Sequence, residues 1–223
     1  MPGGDKIRRW AKRQRGKFTG VAEHYFTADP SSAANTSQRR VTLRGQEVEV
    51  VTGSGVFSPT RVDPGTSVLL RHVPDPPPEG VLVDLGCGWG PLTIALAQAS
   101  PEARVLAVDV NARARELTAL NAQRLGLANV VTMTPEAALE DHAGEIAALW
   151  SNPPIRIGKA ALRELLAAWL RALAPDGEAH LVVSKNLGGD SLHRWLDEEL
   201  GAPTQRVGSA KGFRVLRAAR AAD

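Results

Sequence analysis

The rhythm of apolar and polar positions changes partway along the chain. Residues 40–44 and 47–51 alternate apolar with polar, with Gly45-Gln46 between the two runs. Period-two alternation predicts two paired strands with one buried face, joined as a hairpin. Asp63-Pro64-Gly65 then opens a short helix through Val68-Leu69-Leu70, and the proline run at 76–78 makes a stiff connector. Beyond it, apolar runs at 81–85, 104–109, 129–133, 146–150 and 179–184 read as strands. Between them lie helical stretches at 91–97, 112–125, 160–173 and 191–200. The stripe Leu162, Leu165, Leu166, Trp169, Leu170 and Leu173 is the most strongly amphipathic of these. Residues 205–207 and 212–216 suit a final antiparallel pair. Strands alternating with helices predict an α/β fold: a doubly wound sheet, mostly parallel with an antiparallel edge, plus a small N-terminal β-hairpin appendage.

One junction in this pattern carries chemistry. Strand 81–85 is apolar apart from Asp84 and runs into Gly86-Cys87-Gly88-Trp89-Gly90, after which Pro91 starts a helix. A buried strand, a glycine turn and a helix N-terminus form a cofactor site of nucleotide type at the carboxyl edge of a sheet. A dinucleotide loop would need a third glycine where Pro91 stands. The pattern is instead D-x-G-x-G-x-G, and its glycines suit close approach of a ligand to the backbone. A tight turn with no ligand is the alternative.

Composition narrows the class. At 223 residues with 43% hydrophobic content the chain can bury a substantial core. A single cysteine, Cys87, excludes an internal disulfide and a cysteine metal cluster. The five histidines are scattered singly and no metal site is expected. The absence of a long apolar run and of a signal peptide predicts no membrane association and a cytoplasmic location. The net charge of +3 hides an asymmetry. Residues 1–20 hold seven basic groups and one acid, leaving 20 basic and 23 acidic residues in the remainder. The expected division is a basic arm at 1–22, disordered when free, a loop, hairpin and helix appendage at 23–78, and the cofactor-binding domain at 79–220. The arm suits nucleic-acid phosphates or serves only solubility.

Asp109, at the end of the second core strand, stands where an acid receives ribose hydroxyls, with helix capping as the alternative. Val110 is beside it. Asp84 needs a partner inside an apolar strand, either a cofactor ammonium or the loop's own N–H groups. Glu136 follows the third strand, in what reads as a loop. The run Trp150-Ser151-Asn152-Pro153-Pro154-Ile155-Arg156 follows the fourth strand. Its prolines hold the chain extended and rigid, presenting the Asn152 amide oxygen and the Pro153 carbonyl as two fixed acceptors. Two acceptors in a fork suit an N–H2 group whose lone pair must face an electrophile. A proline turn with Asn152 capping the next helix is the alternative.

The glycine loop resembles that of class I S-adenosylmethionine-dependent methyltransferases, whose sheet is Rossmann-like. Gly55-Val56-Phe57-Ser58, residues 63–70, the 84–90 loop, residues 151–154 and Gly212-Phe213-Arg214-Val215 follow one another as in the methyltransferase small domain of ribosomal RNA guanine-N2 methyltransferases. The resemblance spans roughly residues 48–217. It implies S-adenosylmethionine as cofactor, contacted by Asp84, Gly86, Cys87, Gly88, Gly90, Asp109, Val110, Glu136 and Asn152. It implies a catalytic run of Asn152, Pro153, Pro154 and Ile155, and RNA, ribosomal RNA or a small ribosomal subunit, as partner. The family has an aromatic residue after Asn-Pro-Pro where this chain has Ile155, and often His where it has Arg156. Transfer to a protein glutamine or to adenine N6, and a catalytically silent cofactor- and RNA-binding module, are the competing readings.

Overall fold

A computed structural model describes residues 36–222, so the basic arm, His24 and the loop before residue 36 lie outside the described residues. Strands β1 (Thr36–Leu43) and β2 (Gln46–Gly53) form an antiparallel hairpin, followed by helix α1 (Pro64–His72). The repeats that follow are β3 (Val81–Leu85), α2 (Pro91–Ala99), β4 (Arg104–Val108), α3 (Ala112–Arg124), β5 (Val130–Met133), α4 (Pro135–His142) and β6 (Ile146–Ser151). The chain closes through α5 (Lys159–Arg171), β7 (Leu173–Ser184), α6 (Gly189–Arg194), β8 (Thr204–Ala210) and β9 (Phe213–Ala219). The main sheet has the order β5-β4-β3-β6-β7-β9-β8. Its first five strands are parallel, and β9 lies antiparallel between β7 and β8. This is the doubly wound sheet with an antiparallel edge that the sequence predicts.

Side-chain alternation along the strands builds a core on each face. Leu82, Val105, Trp150, Val182 and Val215 face the hairpin and α1 to α3. Val83, Leu106, Leu149, Leu181 and Leu216 face α4 to α6. Both clusters are almost fully withdrawn from water.

Four local features differ from expectation. The hairpin turns at Arg44-Gly45, one residue earlier than expected, because both residues adopt positive φ (47° and 84°) and Leu43 pairs with Gln46. Two left-handed residues form the turn whose twist suits a two-residue hairpin. Helix α4 is an element beyond those expected, started by Thr134, whose hydroxyl accepts from the Ala137 N–H, and by Pro135. Strand β7 begins at Leu173, and a register shift between Ile146 and Ala148 throws residues 174–177 out of the ladder. The last helix widens after Arg194 into a π turn at Trp195–Glu199.

A buried amide joins the hairpin to the rest. Asn121 of α3 is fully buried and its Oδ1 accepts from the Val51 N–H at 2.7 Å. Its Nδ2 donates to the Val51 carbonyl at 2.9 Å and to the Trp89 carbonyl at 2.8 Å. Asn121→Ala would strand one N–H and two carbonyls, each costing about 1–3 kcal/mol if buried without a partner. The expected loss is about 3 kcal/mol in urea unfolding. An unchanged midpoint would show that the hairpin is held by its apolar face alone.

Candidate active site

Strand β3 has β4 on one side and β6 on the other, because the chain winds outward from β3 through β4 to β5 and then crosses back to β6. The carboxyl ends at such a switch point are where open α/β sheets bind ligands. One pocket there is lined by Asp84, Gly86, Cys87, Gly88, Trp89, Asn152 and, from the N-terminal segment, Phe57, Ser58, Asp63 and Thr66. The structure therefore brings four expected loop residues and Asn152 to one place. It adds residues of the 57–66 segment to which the sequence reading gave no site role.

The glycine loop is preformed by bonds to its neighbours. Gly86 and Cys87 donate their N–H groups to the Val108 carbonyl at 2.8 and 3.1 Å. Gly88 donates to Asp109 Oδ2 at 3.1 Å, so Asp109 is tied to the loop, while its Oδ1 accepts from Asn111 N–H at 2.9 Å. The capping role falls to Asn111, whose Oδ1 accepts from Arg113 and Ala114. Gly86 and Gly88 have φ of 83° and 59°, and a Cβ on either would project into open space. That cleared space, beside a backbone only glycine adopts readily, fits a ligand lying against the loop. Gly90 is the left-handed cap of α2, and its donor bonds the Cys87 carbonyl.

Asp84 is buried, and the bonds it accepts come from the helix that follows, not from the loop's own N–H groups. Its Oδ2 accepts from Thr93 N–H at 2.8 Å and Thr93 Oγ1 at 2.6 Å, and its Oδ1 has no hydrogen-bond partner among the described residues. Burial pushes its carboxyl up to about 7 against both Thr93 bonds, and Asp109 adds to the rise. Burial also raises the Asp109 carboxyl, opposed by the N–H groups of Asn111 and Gly88 and by Arg115. The Cys87 thiol is raised for the same reason and is no nucleophile here. An orphaned acid oxygen at the pocket wall fits a cationic ligand group.

Asn152 does not cap a helix. Helix α5 starts at Gly158 with no side-chain cap, and the Asn152 amide points elsewhere. Its Nδ2 donates to Asp63 Oδ1 at 2.8 Å and Thr66 Oγ1 at 3.2 Å. Its Oδ1 receives no hydrogen bond from a described residue. The Pro153 carbonyl already accepts from the Ile155 N–H at 2.8 Å, and Pro154, at φ −75° and ψ 77°, sits in an inverse γ-turn. The prolines thus turn the chain where the sequence suggested an extended run, and the carbonyl keeps one lone pair free. Ile155 is carried to a second groove with Leu162, Val183 and Leu192. Val110 is half-buried with its carbonyl accepting from Arg115, and Glu136 stands half-buried in the first turn of α4. Among the described residues no three His, Cys, Asp or Glu gather as a metal site, and no helix is long and apolar enough to cross a membrane.

The fold is that of a class I methyltransferase domain. The chain belongs to the methyltransferase small domain family, whose model matches residues 47–217. It is 33% identical over 199 residues to Bacillus subtilis YbxB, an uncharacterized protein, spanning 89% of this chain and 98% of that one. It is 35% identical over 198 residues to ribosomal RNA small subunit methyltransferase C of Ectopseudomonas mendocina, spanning 86% of this chain but 57% of that longer protein. Among solved structures, the T. thermophilus 16S rRNA N2 methyltransferase RsmC, in complex with AdoMet and guanosine, superposes with a TM-score of 0.69. That match has 24% identity over 86% of this chain and 52% of that one, a likeness of fold.

Two buried groups give opposing pH responses. Asp84 titrates near 7 in the fold against 3.8 unfolded, so its contribution is full below 3.8 and lost as pH rises through about 7, roughly 4 kcal/mol in all. His180 of β7 is buried with neither ring nitrogen bonded, and burial pushes it down to about 4 from 6.5. Its contribution is full above 6.5 and lost as pH falls to 4, roughly 3 kcal/mol. Between those limits the two nearly cancel. Denaturant unfolding should become more stable with rising pH in Asp84→Asn and less stable in His180→Leu. Parallel profiles for the two variants would exclude this pair as the source.

Proposed function

We propose that this chain is an S-adenosylmethionine-dependent RNA methyltransferase whose acceptor is the exocyclic N2 of a guanine in ribosomal RNA. The observation that carries the reading is the meeting of the glycine loop, the unpartnered Asp84 oxygen and the Asn152 amide in one pocket. Family membership supports methyl transfer, and the small-subunit rRNA enzymes among the relatives support the RNA acceptor. Because the chain covers 57% of such a relative, the whole enzyme's substrate is part of the proposal.

S-adenosylmethionine supplies, when bound, an electrophilic methyl group on a sulfonium centre. In this reading Asp84 Oδ1 accepts from the ammonium of the amino-acid portion, which lies along Gly86, Cys87 and Gly88. Asp109 accepts from the ribose hydroxyls through lone pairs not used by Gly88 and Asn111, with Val110 beside it and Glu136 toward the adenine. Asn152 Oδ1 and the free lone pair of the Pro153 carbonyl accept the two N–H bonds of the target amine. Held so, the amine directs its own lone pair at the methyl carbon. Methyl transfer to that nitrogen would release the demethylated thioether, and the surplus proton of the amine would pass to solvent. Positioning and fixed dipoles supply the acceleration, with no strong base required. The target base leaves its helix, or comes from a loop, to reach the pocket.

Incubation with tritiated S-adenosylmethionine and either total RNA or total protein tests the reading. Nuclease-sensitive label recovered as N2-methylguanine is expected. Label in protein glutamine, label on adenine, or cofactor binding without transfer would each overturn it in favour of a different activity. Asn152→Ala should fold and bind cofactor while turnover falls about 10²–10³-fold, as for loss of one preorganised polar contact in a transition state. Asp109→Ala should weaken cofactor binding by about 1.5–3 kcal/mol in calorimetry, the worth of hydrogen bonds to a charged group.

A further inference from the structure

We infer that Asp63 and Thr66 are positioning residues that fix which end of the Asn152 amide faces the reaction, an inference that rests on the reading of Asn152 as the group holding the target amine. An asparagine amide has a donor end and an acceptor end of nearly equal shape, so its direction is set by its neighbours. An ionised carboxylate can only accept. The 2.8 Å contact with Asp63 Oδ1 therefore holds Nδ2 against α1, and the planarity of the amide turns Oδ1 away from it. The opposite orientation would set two acceptor oxygens against each other. Thr66 Oγ1, on a buried residue, takes a second bond from the same Nδ2.

The carboxylate is itself fixed. Asp63 is the N-cap of α1, and the same Oδ1 accepts from the N–H groups of Gly65 at 2.7 Å and Thr66 at 3.2 Å. A Cβ on Gly65 would lie 2.9 Å from that oxygen and 3.1 Å from the Phe213 ring, so a larger residue would push the carboxylate off its mark. Helix α1 is seated on β7, β8 and β9, which places its first turn beside the end of β6. A segment preceding the strand–helix repeats thus sets the polarity of the proposed acceptor group.

Capping alone would be served as well by serine, whereas the bridge to Asn152 needs the longer side chain. With tritiated S-adenosylmethionine and total ribosomal RNA, Asp63→Ser should lower kcat at least tenfold, leaving KM, cofactor affinity and melting temperature near wild type. Asp63→Asn, which keeps an oxygen at the same reach, should restore most of the rate. Thr66→Val should lower kcat several-fold and Thr66→Ser should not. In 15N-labelled protein the Asn152 side-chain amide protons, identified by their absence from Asn152→Ala, should exchange with solvent at least tenfold faster in Asp63→Ser. Full kcat and unchanged exchange in Asp63→Ser, with Asn152→Ala inactive, would overturn the inference. Should Asp63→Ser fail to fold, unchanged kcat and exchange in Thr66→Val would overturn it equally. Full kcat in Asn152→Ala would instead overturn the functional reading, which the exchange measurement does not depend on.

Discussion

The site depends on one buried amide outside its own lining. A two-stranded hairpin is marginal alone and must be docked to persist. Asn121 docks it by spending both ends of its side chain on the Val51 peptide and the Trp89 carbonyl. The same contact braces the glycine loop, because Trp89 belongs to it. From there the constraint passes outward: the Trp89 indole N–H donates to the Ser58 carbonyl at 3.1 Å, and Asn111 Nδ2 donates to the Gly55 carbonyl at 2.7 Å. These two bonds pin the strand-to-helix segment that delivers Asp63. Hairpin, loop and Asn152 are therefore mechanically one unit, although they come from distant parts of the chain.

Electrostatics give that unit its ligand preference. Asp84 and Asp109 stand at the ends of adjacent parallel strands, burial raises both carboxyls, and the charge of Asp109 raises that of Asp84 further. Arg115 offsets this only partly, since its guanidinium bonds the Asp109 and Val110 carbonyls. A buried acid with a free oxygen is costly, and a cation in the pocket relieves that cost. S-adenosylmethionine carries a sulfonium and an ammonium, whereas a dinucleotide would bring phosphates to the same acids. The missing third glycine and the paired acids thus argue against a dinucleotide by independent routes.

Local pattern made the sheet legible: five strands, all but one of the helices between them and the edge pair could be read from periodicity, because each needs only its own sequence to declare its face. The glycine loop was legible for a similar reason, since its spacing is contiguous. What escaped was whatever depends on a partner far along the chain. Asp63 reads as a helix cap, which it is, but its bond to Asn152 spans 89 positions. Asn121 could have been suspected, since it falls on the same helical stripe as Ala114, Leu117 and Ala122, a polar group where the pattern demands an apolar one. Thr93, likewise, is a hydroxyl on a buried face, and it supplies the partner that Asp84 lacked in sequence. The one-residue error in the hairpin turn arose because arginine is seldom expected at positive φ.

The second proline of Asn-Pro-Pro also had a meaning that composition did not reveal. An extended run would send residues 152 to 155 along one line toward one pocket. The inverse γ-turn at Pro154 folds the chain back, engages the Pro153 carbonyl and commits Ile155 to the groove beside α5 and α6. Asn152 and Ile155, three residues apart, thereby serve different surfaces. This division bears on the replacement of an aromatic at 155. A residue packed half-buried between two helices answers first to the core, where a branched aliphatic fits well. In the proposed reading, the pocket of Asn152 itself then offers a face to the target base, and its wall includes the exposed ring of Phe57 on the segment that Trp89 and Asn111 hold in place.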